Sequence, residues 1–446
     1  MNFRHSKVAR IASFACIAAY AAALGCAQLP LQQAVKLAVA NSPQVKAAKN
    51  DLEKANANLS VMRDIYIPSV TTGGGVGYTT GITLSVPTIF TVNAQSLVFS
   101  FQQREYLRAA HKQIEAAKLS LQEMSEQVQE DVAITYVSLG QAEAVSKALG
   151  EQYEYATRLS AIDEDRQHSG LESELEVMKA RRGAVQIKLS QIQADESIQS
   201  LRAHLAWLTG QPFESVTVEA ESIPTLPTLT SLMADDQEPV PPTPGLLAAQ
   251  ADALAKQQRA RGDSQYVLRP QISFGAQYGR VSPINNVSDF YNLHGNYNTA
   301  NVGVQIQLPL VDRVRRAAAR ESSADASRAA LDLENLRAEQ IGGRLALKRS
   351  LPELATKVDL AQLDLDIAQN ELTSTTIQIR GATGRPPLTP KEEQKAHLDE
   401  RQKYLDLLDA RLRSEKAQIN YLRQTGKLGN WIDSGHFGAS STNSHR

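Results

Sequence analysis

The nine residues Gly73 to Gly81, GGGVGYTTG, are the first stretch of the chain whose spacing suggests chemistry. Gly75-Val76-Gly77-Tyr78-Thr79-Thr80-Gly81 comes close to the glycine-rich turn that cradles a dinucleotide pyrophosphate. Such a turn needs a strand before the glycines and a helix directly after them, because the anion is met by the amides of the helix N-terminus. Here a helical pattern precedes. The residues after the glycines, ITLSVPTIFTVNAQSLVFSF, are rich in β-formers, include Pro87 and contain no Lys-Ser/Thr pair. The stretch therefore reads as strand. Val70, Thr72, Gly74, Val76 and Tyr78 fall on one face, with Ser69, Thr71, Gly73, Gly75 and Gly77 on the other.

The remaining candidates for chemistry are few. Eight histidines are scattered, without an HExxH pair, a Cys/His cluster or a nucleophile elbow, so the residues offer no catalytic set, cofactor cradle or metal site. One acidic run, Asp163, Glu164 and Asp165, could form a cation-attracting ring if symmetry repeated it around a pore. Solvated helix faces carry such runs as well.

Both cysteines, Cys16 and Cys26, lie in an N-terminal address. Arg4, Lys7 and Arg10 precede an apolar run from Ile11 to Leu24, too short to span a bilayer, and the small residues Gly25-Cys26-Ala27 come next. Cleavage after Ala27 is the first reading. The rival is lipidation at Cys26, since ALGC resembles a lipobox, although Leu24 stands where that motif has a small residue. The mature chain then has no disulfide.

Charge is balanced, 47 basic against 48 acidic residues, which argues against a general nucleic-acid binder. Aromatic residues are only 5%, while Ala, Leu, Gln, Glu and Arg dominate long stretches, a mixture that favours long helices packed through small side chains. After the leader no stretch of 18 apolar residues exists, so any membrane passage must be made by strands.

The chain repeats itself. A helical stretch from Leu31 to about Arg63 leads to IPSVTTGGGVGY, and one from Pro244 to about Tyr266 leads to RPQISFGAQYGR. Phe101 and Gly170 stand 69 residues apart, as do Asp312 and Gly381. Each of these glycines breaks a long helical pattern, and a return leg ends at Leu208-Thr209-Gly210 or Gln424-Thr425-Gly426. The expected organisation is a leader over 1–27, a first repeat over 28–211, a Pro-rich linker over 212–243, a second repeat over 244–430 and a tail over 431–446.

The helices carry coiled-coil seams. Leu347, Leu351, Leu354, Val358, Ala361, Leu365, Ala368 and Leu372 alternate in steps of four and three. Leu107, Ala110, Ile114, Ala117, Leu121, Met124 and Val128 do the same, slipping by one stutter to Val132. The return legs repeat the pattern at Leu175, Met178, Val185, Leu189 and Ile192, and at Leu405, Leu408, Leu412, Ile419 and Leu422.

The strands differ from those of a soluble sheet. Ile272, Phe274, Ala276 and Tyr278 alternate with Ser273, Gly275 and Gln277. Val302, Val304, Ile306 and Leu308 alternate with Gly303, Gln305 and Gln307. A polar face without charge opposite an apolar face suits a water-filled lumen and surrounding lipid. The expected lumen-facing residues are Gly73, Gly75, Gly77, Ser273, Gln277, Gln305 and Gln307.

With LPLVDRVRRAAARESSADASRA, the turns QHSGLES and RGATG, and the closing AQINYLRQTGKLGNW, the chain resembles the TolC-type outer-membrane efflux proteins over about residues 30 to 430. The resemblance implies an α+β membrane protein in the outer membrane of a Gram-negative bacterium. In it, long antiparallel coiled-coil helices form a periplasmic α-barrel, and two β-hairpins per protomer contribute to a 12-stranded trimeric β-barrel. It also implies a homotrimer in contact with outer-membrane lipid and with a periplasmic membrane-fusion adaptor. The adaptor would join it to an inner-membrane transporter of the RND, ABC or MFS class. The duct itself would be passive, the exit of a tripartite efflux or type I secretion system. Gly170 and Leu171, beside Ser169, match the family's first tip, and Arg380-Gly381 its second. There they would meet the adaptor and form the periplasmic gate. TSTTIQIR stands where the family has gate aspartates, and Pro386, Pro387 and Pro390 set the second tip apart. The competing reading is a periplasmic coiled-coil tether or trimeric surface adhesin without a channel. An enzyme finds no support in the residues, and they do not reveal the cargo.

Overall fold

A computed structural model describes residues 29–75, 88–228, 241–265, 269–281, 298–380 and 389–434. Among these residues eight α-helices and four strands succeed one another: α1 Leu31–Asn41, α2 Pro43–Asp64, β1 Ser69–Gly73, β2 Thr88–Phe99, α3 Phe101–His168, α4 Glu174–Thr209, α5 Pro244–Ser264, β3 Gln271–Val281, β4 Asn298–Gln307, α6 Arg313–Arg380, α7 Pro390–Gln424 and α8 Leu428–Ser434. The long helices α3 and α6 have 68 residues each, and the return helices α4 and α7 have 36 and 35. Among the described residues no helix is long and apolar enough to cross a membrane.

The helix ends are set by local chemistry. Ser173 caps α4 by accepting from the Glu176 amide, and Glu174 and Glu176 oppose the positive end of the helix dipole. Thr389 and Glu392 form a capping box on α7, with Pro390 in its first turn, where a missing N–H is harmless. Pro352 lies inside α6 and removes one backbone hydrogen bond there.

The chain forms two compact units, and each takes residues from both repeats. The helical unit comprises the described residues within 1–46, 124–243 and 340–446. Its core lies where α3 meets the other helices, with Val128, Val132, Leu139 and Tyr136 fully buried. On α7, Leu407, Ile419 and Leu422 are buried, and the α3–α7 contact continues through Arg401–Glu151 and a close Arg423–Glu130 pair at 2.5 Å. Tyr136 is a clamp: its hydroxyl donates to the Leu29 carbonyl at 2.7 Å, accepts from the Glu219 amide at 2.9 Å and lies 2.9 Å from the Ser222 hydroxyl. The segment after α4 is held to the helices in this way.

The seams meet different fates. On α6, Leu351, Leu365 and Ala368 are buried, and on α7, Leu408, Ile419 and Leu422 are buried, as their spacing requires. The α4 seam departs from expectation: Leu175, Met178, Val185, Leu189 and Ile192 are each more than half exposed. Instead α4 buries Val177, Ala184, Ile198 and Leu205, a column at multiples of seven residues. These positions lie about 100° around the helix from Met178 and Val185. The helix carries two apolar columns, and only one faces its own chain.

The strand-bearing unit comprises residues 47–123 and 244–339. Its sheet is antiparallel throughout, in the order β1-β2-β3-β4, so the second hairpin lies directly beside the first. The helices beneath are tied by polar contacts. The Gln103 amide donates to the Met62 carbonyl at 2.6 Å, and the Tyr106 hydroxyl donates to Asp263. Burial, together with the bond to Asp263, pushes the Tyr106 phenol up to about 12. Gly262 is needed where α5 meets α3, because a Cβ there would stand 3.0 Å from the Tyr106 ring.

Candidate functional site

The sheet presents two chemically distinct faces, and its register fixes which residues share them. Directly paired residues in antiparallel strands project to the same side. Gly73 pairs with Thr91, and Thr91 with Gly279. Asn93 pairs with Gln277, and Gln277 with Asn301. Ser273 pairs with Gln305 and Gln271 with Gln307. One face thus brings Gly73, Ser273, Gln277, Gln305 and Gln307 together, with no ionisable side chain among these pairs. Gly75 lies just past β1, and Gly77 lies outside the described residues.

The opposite face holds Val70, Val92, Ala94, Phe274, Ala276, Tyr278, Val302, Val304 and Ile306. Val302 is 75% exposed and Ile306 67%, so among the described residues nothing covers this face at β4. Phe90 and Tyr278 meet edge to face on it, at a centroid distance of 6.5 Å. Thr91, Asn93 and Gln95 belong to the polar face as well, beyond the expected set. Their signal lies in FTVNAQ, a plain alternation. It is obscured because β2 loses phase at an irregularity between Leu97 and Phe99. At its near edge Leu97 is buried, and its amide donates to the Ile65 carbonyl.

At the far end of α3 the first tip is a tight reversal. The Leu171 amide donates to the Arg166 carbonyl and the Gly170 amide to the Gln167 carbonyl, both at 2.9 Å, with Gly170 at φ 73°. This is a Schellman termination, which needs a left-handed residue at the position Gly170 occupies. Nothing lies within 4 Å of a Cβ built there, so the demand for glycine is conformational alone. Leu171 projects from the turn, 67% exposed, and the Ser169 hydroxyl donates to the Asp165 carbonyl. Arg380 is the last residue of α6, and Gly381 lies outside the described residues, as does Cys26.

The acidic run before this tip is not a group of free charges. Asp163 is 2% exposed and pairs with the Lys391 ammonium at 2.7 Å. Lys391 also reaches Glu172 at 2.9 Å, and Glu172 is shared with Arg166 at 3.3 Å. Glu164 pairs with Arg181 at 2.9 Å, which leaves Asp165 as the exposed member. The expected ring of Asp163, Glu164 and Asp165 therefore fails within this chain. On a helix three consecutive residues point about 100° apart, and two of these three are taken up by cations on neighbouring segments. Burial alone would lower the Lys391 ammonium, but its bonds to Asp163 and Glu172 outweigh it and hold its pKa above the ordinary lysine value. The hydrogen bond from Lys391, with help from Arg166, holds the Glu172 carboxyl below the usual range, and the bond from Arg181 does the same for Glu164. The arrangement pins the first tip to the start of α7. Sequence spacing gives no sign of it, because Lys391 is more than 200 residues from both partners.

Residues 34–211 match the family model described as outer membrane efflux protein. Over these residues the chain is similar to the outer membrane efflux proteins. The match covers most of α1, then α2, β1, β2, α3 and α4, with both faces of β1 and β2 and the Gly170 tip inside it. Among curated proteins no sequence matches the chain. Solved structures extend the likeness of fold over nearly the whole of it. The outer-membrane channel OprN is 18% identical, covers 90% of each chain and superposes with a TM-score of 0.69. The CmeC outer membrane channel of Campylobacter jejuni is 15% identical, covering 91% of this chain and 89% of its own, with a TM-score of 0.70. VceC of Vibrio cholerae is 17% identical, covering 89% and 96%, with a TM-score of 0.67. The efflux-protein fold thus includes the second repeat, where the family model does not reach.

Proposed function

We propose that this chain is the outer-membrane exit duct of an efflux or secretion system, conducting solute passively from the periplasm to the exterior. One observation carries the reading. A four-stranded sheet bears an exposed apolar face and an uncharged polar face, and among the described residues β1 and β4 each pair on one side only. Unpaired strand edges are not tolerated in lipid, so the edges must be closed by other copies. Three copies would supply 12 strands, with Gly73, Ser273, Gln277, Gln305 and Gln307 towards water and Val302, Val304 and Ile306 towards lipid.

The helical unit supports self-association independently. The outward column of α4, from Leu175 to Ile192, has a counterpart on α6, where Leu360, Leu363, Ile367 and Ile377 are each more than half exposed at heptad spacing. We read the two columns as the two sides of one interface between neighbouring copies. The tip at Ser169, Gly170 and Leu171, with Arg380 and Gly381, is the proposed contact for a periplasmic adaptor, which would join the duct to an inner-membrane transporter. OprN, CmeC and MtrE, whose folds this chain shares, are described as outer-membrane channels.

The mature protein reconstituted in planar bilayers tests this reading. Discrete conductance steps are expected. A protein that is soluble and monomeric without detergent, and silent in bilayers, would overturn the duct.

A further inference from the structure

Beneath the sheet, in the strand-bearing unit, a groove of about 1010 Å³ runs between α5 and the first third of α6. Much of its wall is alanine, serine and leucine, including Leu254, Ala319, Ala326 and Leu333. At the end nearest β3 and β4 stand Arg261, Arg316 and Arg320. No Asp or Glu lines the groove, and among the described residues no carboxylate lies within ion-pairing distance of these three guanidinium groups. In a chain of balanced charge this concentration is local. Arg316 and Arg320 are one helical turn apart and repel each other unless an anion lies between them.

The face on which they stand is set by spacing. Asp312, Arg316, Arg320, Ser323 and Ser327 are separated by 4, 4, 3 and 4 residues, which makes one stripe along the start of α6. With Gln271 and Gln307, Asp312 lines a small cavity of about 60 Å³ at the foot of the polar sheet face. The stripe that carries Arg316 and Arg320 thus begins at a residue adjoining the polar glutamines.

We propose that this groove is an anion station on the wall of the duct. The solute it favours is an amphipathic organic anion, with a carboxylate, sulfonate or phosphate on an apolar body. The inference rests on the exit-duct reading and adds a substrate class to it. Arginine suits the role because its planar fork donates two parallel bonds to such oxygens and is weakly hydrated. The alanine and leucine wall receives the apolar part, and the openness to water lets the solute leave.

Two measurements test the proposal on the full-length protein. In planar bilayers of zwitterionic lipid under a KCl gradient, the reversal potential should show preference for chloride. The triple variant R261Q/R316Q/R320Q should shift it towards potassium, while R316K should leave it in place. In detergent, anilinonaphthalene sulfonate should bind, and the triple variant should lose affinity by about tenfold or more. The uncharged phenylnaphthylamine should bind both proteins equally. Cation-selective channels, or a reversal potential unmoved by the triple variant, would overturn the anion station and leave the duct standing. Absence of any conductance would overturn the duct and the station together. Equal sulfonate binding by both proteins would show that the arginines hold no anion, as when a neighbouring helix fills the groove.

Discussion

The return helices α4 and α7 are nearly equal in length, occupy equivalent places in the two repeats and carry the same heptad spacing. Yet α7 buries Leu408, Ile419 and Leu422 against its own chain, whereas α4 leaves Leu175, Met178, Val185, Leu189 and Ile192 open. The contrast separates two kinds of information. A heptad column states that a helix needs a partner, and it does not say whether the same chain provides one. In α7 the partner is α3 of the same chain. In α4 a second column does the internal packing, and the first is left open, the side we propose for another copy.

Substitutions in the seams themselves probe this difference with the largest effects. Leu408→Ala removes a core side chain and should destabilise the protomer by about 2–5 kcal/mol, measured by denaturant titration. Val185→Asp with Leu189→Asp should leave protomer folding nearly unchanged, within about 0.5 kcal/mol. It should abolish assembly, because each burial in the interface contributes about 1.5–3 kcal/mol. If the α4 variant unfolds instead, the outward column is internal after all.

A smaller effect is expected where α7 holds the tip. Lys391→Met leaves Asp163 buried without its cation and should cost about 2 kcal/mol, seen as faster proteolysis around Gly170. The pH dependence has a definite sign. The Glu172 carboxyl is depressed in the folded chain, so its contribution is complete above its ordinary value of 4.5 and fades as pH falls through the lower folded value. The Lys391 ammonium is raised, so its contribution is complete below 10.5 and fades as pH rises through the higher folded value. The protection of the tip amides, taken as the intrinsic exchange rate at each pH divided by the observed rate, should therefore be highest between these limits and should fall in acid. In K391M the acid-dependent part due to Glu172 should be much reduced.

Smallest of all, Gly170→Ala should cost about 1 kcal/mol through its left-handed backbone, with no steric term because the space around it is open. Gly170→Asn should recover part of that loss. Thermal melts of the two variants check the order.

Much of this is legible in the sequence, for reasons that can be named. The two-faced sheet comes from strict alternation in QISFGAQY and NVGVQIQ, because strand side chains have period two. The breaks at Gly170, Gly210 and Gly426 come from left-handed terminations that only glycine makes easily. Three features escape because they depend on contacts between distant segments. Lys391 pairs with Asp163, Tyr136 closes over Leu29 and Ser222, and the groove arginines gather from α5 and α6. The acidic run misleads for a related reason: consecutive residues are neighbours in sequence without sharing a helix face.

The open column of α4, and the edges of β1 and β4 that are unpaired among the described residues, call for closure, and further copies of the same chain are the proposed partners. Light scattering on the mature protein in mild detergent decides whether they supply it. A protein mass of three protomers is expected, falling to one in the Val185→Asp/Leu189→Asp variant. A wild-type protein that is monomeric under the same conditions would contradict closure by further copies.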